Sequence, residues 1–427
     1  MDRSLDQLAH RLLIQCSPAQ VNVAADIAAA HDGGLVITGD SPEPIVSKLR
    51  ARGFTGPVLC DANRYSGPHR VNARRGLRPA WCRRQHELGL IAVTDSGYLE
   101  LGDWDSLRSI LYTAAWQRGP VIAMLPLAAR WLFHREDVDH MARELDAHGV
   151  PVAIALEHSG DPFGARYVVR HFLRLLRKVS VPVLVLRSDV SAIGALCHGA
   201  HAAAIGTTST LRHLYPARSY RGGRPTTVSV FVKELLSYHR LDTCEAVFAL
   251  APETGHFWLC NCAVCGGNTL ARLRTAENPR AVALRHSLHS QFLTYRQVVD
   301  RRYAREQLAS VWHNTCSTAL AAHRRIAEHA SSWRVPDHLR RWCSVTDDPL
   351  RHYRETLLPN AAPPLPASPT PEPRSRGNAH RSRPDVGLGP GPERNRVPMS
   401  PGRRTTPRTS TDAPPSTDCR GTSRSSP

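Results

Sequence analysis

The sequence predicts an α/β chain: a (β/α)8 TIM-type barrel with a C-terminal zinc-binding helical subdomain and a disordered tail. Three observations carry that expectation. Short runs that are apolar throughout alternate with amphipathic stretches, the pattern of parallel strands buried on both faces and joined by crossover helices. Eight such units fit between residues 31 and 250, which suits a closed barrel better than an open sheet. Three cysteines then fall within six residues, and beyond residue 360 large apolar side chains almost vanish.

Residues 1–30 read as a helical lead-in, because Leu5, Leu8, Leu12 and Leu13 recur at helical spacing behind Asp2 or Ser4 as a cap. The expected barrel spans 31–250. Its strands are the apolar runs at 35–38, 57–60, 90–94, 121–125, 151–156, 181–186 and 202–205, with 226–232 or 246–250 as the eighth. Helices are expected at 43–52, 105–117, 137–148, 165–178 and 190–198. Residues 251–335 form the zinc-binding subdomain, with one long helix or two in sequence over 278–329, and 336–359 make a helical end. The tail, 360–427, is Pro, Ser, Thr, Arg and Gly, and cannot bury enough surface to offset the entropy of ordering.

The formal charge of +18 and isoelectric point near 10.0 favour a polyanionic partner, nucleic acid first. Arginines on the late helical region (Arg285, Arg296, Arg301, Arg302, Arg305) form either a solvated face or a phosphate-tracking one. Residues 215–224 mix Arg, Tyr and Gly in a way that suits contact with single-stranded or loop nucleic acid. Eleven cysteines, scattered except for the one cluster, exclude a disulfide framework, and a cytoplasmic setting suits thiol-ligated metal. No signal-peptide-like segment opens the chain and no 18-residue apolar window exists, so no membrane partner is expected.

Cys260, Cys262 and Cys265 with His286 make a closed Cys3His set, the donor chemistry of structural Zn²⁺. Gly266 and Gly267 free the loop to wrap an ion, and His289 is the alternative fourth ligand. The competing reading is a group of buried unpaired thiols. In a barrel, chemistry sits where strands end, which singles out Asp61, Asp95 and Glu157, with Asp161 and Asp189 close to later strand ends. Asp189 and Asp105 look like helix caps. Ser96-Gly97 would let backbone approach a ligand closely, and Gly206 through Ser209 could bind a phosphate.

Thr94-Asp95-Ser96-Gly97, followed by C-x-C-x-x-C and then His286-Ser287-Leu288, resembles the tRNA-guanine transglycosylases over residues 30–330. The resemblance implies a barrel with a zinc subdomain that helps hold tRNA, and exchange of guanine for a 7-deazaguanine-type base. It makes Asp95 the general acid/base, with Ser96 and Gly97 lining the base pocket; Tyr98, next in sequence, and Gly206, from its strand-end turn, complete the expected substrate-binding set. The partner it implies is tRNA, with DNA as the other candidate, and a second copy or a partner subunit alongside. The sequence departs from the family at two places. Ala204 stands where the nucleophilic aspartate belongs and His201 where that motif's first aspartate belongs, while Leu156-Glu157-His158-Ser159-Gly160-Asp161 replaces a Gly-rich base-recognition stretch. Two readings follow. In the first, the chain is a base-exchange enzyme in which Asp61 or Glu157 supplies the missing anion. In the second, it is a non-catalytic, zinc-braced barrel that binds RNA or a partner subunit. Converging carboxylates favour the enzyme and Ala204 favours the binder.

Overall fold

In the computed structural model, which describes residues 5–217, 227–299 and 303–345, the barrel begins earlier than the sequence pattern suggests. Its first strand is β1 (Arg11–Cys16), inside the expected helical lead-in. Leu12 and Leu13, one helical face on the periodicity argument, point to opposite sides of the sheet. Leu12 packs with the outer helical layer and Leu13 with the barrel interior. Leu5 and Leu8 belong to a single short turn that joins the same interior cluster.

The remaining strands are β2 (Gly34–Thr38), β3 (Val58–Asp61), β4 (Ala92–Val93), β5 (Val121–Ala128), β6 (Val152–Glu157), β7 (Val183–Ser188) and β8 (Ala202–Gly206). All are parallel and run in the order β3-β2-β1-β8-β7-β6-β5-β4, with β3 and β4 packed together across the one seam that lacks a ladder. The barrel is therefore nearly closed. Leu13, Val36, Leu59, Ile122, Met124, Ala153, Leu184 and Ala204 fill its inside. Alternate residues such as Ile14, Ile37 and Ile154 face the helices. Burial on both faces hides the two-residue period in sequence, which is why these strands read as continuous apolar runs.

Helices α1 (Val21–Ala30), α2 (Glu43–Ala51), α3 (Pro79–Glu87), α4 (Trp104–Ala115), α5 (Arg135–His148), α6 (Val168–Lys178) and α7 (Ser191–Cys197) form the outer layer. Asp103, not Asp105, caps α4, accepting from the Ser106 backbone N–H. After β8 there is only the single turn α8 (Ser209–Arg212), and the place between α7 and α1 is taken by α10 (Pro279–Val298). The two candidates for an eighth strand are not barrel strands. Residues 229–232 are β9 (Ser229–Val232), paired antiparallel with β10 (Ser237–Arg240), and residues 246–250 end α9 (Leu241–Leu250).

The expected long helix is two, α10 and α11 (Arg305–His329), followed by α12 (Asp337–Ser344). Helix α7 is small-residue and wholly buried, which lets α11 and α12 come close. A Cβ added at Gly194 would lie 2.5 Å from Trp312 Nε1, and Trp342 Nε1 donates to Ser191 Oγ at 3.1 Å. The tail at 360–427, residues 346–359 of the expected helical end, Arg301, Arg302 and most of 215–224 lie outside the described residues. Among the described residues, no helix is long and apolar enough to cross a membrane.

Candidate metal centre and barrel mouth

The loop between α9 and α10 gathers Cys260, Cys262 and Cys265 around His286 of α10. All four are buried, and their donor atoms lie within 4.8 Å of one another. The turn is made by backbone: the Cys265 and Gly266 N–H groups donate to Cys262 O at 3.0 and 2.9 Å, and the Gly267 N–H donates to Cys260 O at 2.9 Å. Gly266 and Gly267 take φ values of 56° and 87°, where a side chain would be strained. Cys262 Sγ and Cys265 Sγ stand 3.4 and 3.3 Å from His286 Nδ1. The other ring nitrogen, Nε2, lies 2.8 Å from the β9 carbonyl of Phe231 and donates to it. That bond fixes the tautomer, turning the Nδ1 lone pair toward the sulfurs, as ligating histidines require.

His289 is elsewhere, its Nδ1 2.9 Å from His31 Nε2. The four groups bear on one another's protons. Hydrogen bonds from Cys262 and Cys265 hold Cys260 far below the ordinary thiol range, and the same kind of contact drives Cys265 far above it. Burial lowers His286, yet hydrogen bonds to Cys260 and Cys262 raise it to about 9. Three thiols and a pre-oriented imidazole make a set that could hold a metal ion, which would displace those protons.

The three strand-end carboxylates all reach the barrel mouth, and each is already engaged. Asp61, closing β3, accepts from Gln15 Nε2 at 2.8 Å, Tyr65 OH at 2.7 Å and the Asn63 N–H at 2.8 Å. Arg187 Nη2 lies 3.7 Å away, and both side chains are 2% exposed. A bulge in the β7–β8 pairing and a left-handed φ of 51° at Arg187 swing this guanidinium inward. It then donates to Tyr65 OH at 3.0 Å, to Thr210 O at 2.7 Å and to Asn63 Oδ1.

Asp95, just beyond β4, is clamped between Arg64 Nη1 at 2.7 Å and the Arg78 guanidinium, and the Arg78 N–H donates to its other oxygen at 2.9 Å. Its side chain is 1% exposed. Glu157, closing β6, pairs with Arg70 and accepts from Tyr98 OH at 2.8 Å, and Arg70 stacks 3.6 Å over the Tyr98 ring. Burial first, then the Glu157 charge, pushes the Tyr98 phenol upward, so it stays a donor.

The proposed substrate-pocket residues are likewise occupied. Ser96 Oγ pairs with Thr94 Oγ1 at 2.9 Å. A close approach at Gly97 does exist, but to the chain's own backbone: an added Cβ would meet Asn72 O at 2.5 Å. At Gly206 it would meet Leu211 O at 2.2 Å. Ala204 lies on the barrel's inner face, and His201 precedes β8 at the opposite end from the mouth, its Nε2 3.0 Å from Leu5 O.

No family model matches the chain, and no curated protein does. Among solved structures it is similar to a mutant tryptophan synthase alpha-subunit from the hyperthermophile Pyrococcus furiosus, at 12% identity and a TM-score of 0.31, over 46% of this chain and 87% of that one. A ligand-free mutant tryptophan synthase from M. tuberculosis aligns at 13% identity and a TM-score of 0.30, over 48% and 86%. At these scores nothing further rests on the likeness.

Two features escaped the sequence reading. One is the arginine set that neutralises the rim, although the density of Arg64, Arg70, Arg74, Arg75, Arg78, Arg83 and Arg84 was a visible signal. The other is a buried cluster beyond β6, β7 and β8. There His338 Nδ1 of α12 lies 3.0 Å from Asp161 Oδ2, and His213 Nε2 lies 3.8 Å from Asp189 Oδ2. Asp189, expected as a cap, lies one residue before the N-cap Val190 of α7 and accepts from the Ser191 N–H at 3.3 Å.

Burial opposes charge on both members of the His338–Asp161 pair. Their mutual attraction nevertheless raises His338 above, and lowers Asp161 below, its ordinary value. Burial and the Asp161 charge raise Asp189. The stabilising contribution of His338 is present at acid pH and is lost as pH rises through its raised pKa. That of Asp161 is present at neutral pH and is lost as pH falls through its lowered pKa. Docking of α12 is therefore tightest between the two. His338→Gln should cost about 3–5 kcal/mol within that window and flatten the fall in thermal midpoint on its alkaline side. Melting curves across pH check this, and an unchanged profile would show that the pair does not hold α12.

Proposed function

We propose that the chain is a zinc-braced barrel that binds RNA, tRNA being the first candidate, and that it does not itself exchange a base. Zn²⁺ is the ion whose preferences fit three thiolates and one imidazole with no position left for water, which makes the centre structural. The observation that carries the functional reading is the state of the rim. Asp61 and Asp95 are buried and Glu157 is half-buried, each has an arginine partner and further hydrogen-bond donors, and Ala204 faces the apolar interior. A double displacement at a sugar needs one carboxylate free to attack and another free to trade protons. None of these candidates is free for either task.

Binding is supported by charge. The tail from residue 346 carries thirteen arginines against eight acidic residues, so most of the +18 belongs to the chain before it. On the metal-bearing part Arg272, Arg274, Arg285, Arg296, Arg324 and Arg325 are all exposed. A specific observation keeps base exchange as the second reading. Arg78, one of the two clamps on Asp95, is 50% exposed, so a bound polyanion could draw it off and free the carboxylate.

Purified protein mixed with tRNA should retain it on a filter, with affinity falling steeply between about 50 and 200 mM salt. No labelled guanine or 7-deazaguanine should enter the tRNA. Failure to bind at low salt would overturn the reading. Incorporation that Asp95→Ala abolishes would replace it with the second.

A further inference from the structure

A cavity of about 800 Å³ opens where the end of β8 and the start of α1 meet β9 and the first turns of α10. We propose that it is a binding site for a nucleoside phosphate unit, free or as part of a polynucleotide. The proposal deepens the RNA-binding reading and rests on it for the polymer form. Two arginines, Arg212 and Arg280, line the space with the hydroxyl residues Thr207, Thr208 and Ser209, and among the described residues no carboxylate does. That composition sets it apart from the barrel mouth, where Asp61, Asp95 and Glu157 each face an arginine.

Arg212 is the informative member. Its guanidinium lies 3.7 Å over the Tyr238 ring, and that ring is held in turn by Gln291 Nε2, which donates to its hydroxyl at 2.8 Å. Among the described residues it forms no salt bridge. Stacking on the ring holds the guanidinium at the cavity, where N–H groups of its planar fork can meet a phosphate. Val23, Val228 and Leu284 also line the cavity, and this apolar part suits a planar base or sugar face better than inorganic phosphate. The volume lies within the range of small-ligand pockets and exceeds the need of one phosphate.

The test uses the full chain with two probes: a fluorescent single-stranded RNA octanucleotide and free guanosine monophosphate. Arg212→Ala should weaken whichever probe binds by about tenfold. Thr208→Glu, which sets a negative charge in the cavity while keeping the Arg212 and Tyr238 side chains, should weaken it at least as much. It also keeps the test intact should Arg212→Ala misfold. Loss with both probes establishes a nucleotide site open to free and polymeric ligand. If only the octanucleotide binds and both variants weaken it, the site serves polynucleotide. If the octanucleotide binds and neither variant affects it, the cavity proposal is overturned while RNA binding stands. If only the mononucleotide binds, and through Arg212, the site stands and the RNA reading falls. If neither probe binds the wild-type chain, both fall.

Discussion

Removing the metal with a strong chelator, or replacing Cys265 by Ser, is expected to loosen the region from β9 to α10 and to expose it to protease. The thermal midpoint of the whole chain should fall with it. The size of the effect follows from what the ion replaces. The core around the cysteines is small: Val230, Val232, Leu235, Phe257, Trp258, Leu270, Leu273 and Ile326 surround a loop made mostly of turns. A Cys3His zinc site contributes apparent binding free energy on the order of 10 kcal/mol, a large share of what holds so turn-rich a region together. The loss will not stop at the loop. His286 anchors β9 through Phe231 O, while the same helix presses Phe292 against Gly33 and stacks it on His31 with ring centroids 4.9 Å apart. Metal analysis should find about one ion per chain in the wild type and little in Cys265→Ser. If that variant keeps both its midpoint and its resistance to protease, the four residues are buried thiols and an imidazole rather than ligands.

The three cysteines were legible in sequence as a set that could hold a metal ion, because C-x-C-x-x-C spacing is local and the flanking glycines announce the turn, whereas the choice of His286 over His289 needed the fold. The barrel was legible as a rhythm but not in its starting phase. Leu5, Leu8, Leu12 and Leu13 satisfy a helical period by coincidence of two structures, a plugging turn and a strand with apolar residues on both faces. Gln15 is a polar residue amid the apolar run of β1. Its side chain proves to be the hub that meets Thr38, Asp61 and the Arg187 N–H. Position at strand ends correctly marked Asp61, Asp95 and Glu157 as rim residues. What sequence could not show is their pairing: Arg70 and Glu157 are 87 residues apart, and Asp61 and Arg187 are 126 apart. Gly97 and Gly206 carry the same lesson. Each permits a close backbone approach, but only the fold reveals that the approaching backbone is the chain's own.

Arg187→Ala is expected to cost about 3–5 kcal/mol, since it strands a buried carboxylate without its cation. The guanidinium serves Asp61, Tyr65, Asn63 and the Thr210 carbonyl at once. Lysine, with one ammonium on a flexible stem, cannot serve that planar array, so Arg187→Lys should recover little. Two comparisons separate charge from backbone. Arg187→Gly relieves the left-handed conformation and should be less damaging than Arg187→Ala by about 1 kcal/mol. Adding Asp61→Asn to Arg187→Ala removes the stranded charge and should restore part of the loss, which shows the two residues to be coupled. Urea unfolding of the four variants measures each difference. The outcome also bears on function. If Arg187→Ala costs less than about 1 kcal/mol, Asp61 behaves as a solvated carboxylate. A mouth that wet would have a carboxylate to spare for chemistry, and the non-catalytic reading would lose its main support. A large cost, recovered through Asp61→Asn, means that the rim carboxylates are structural and that function lies with the basic surface.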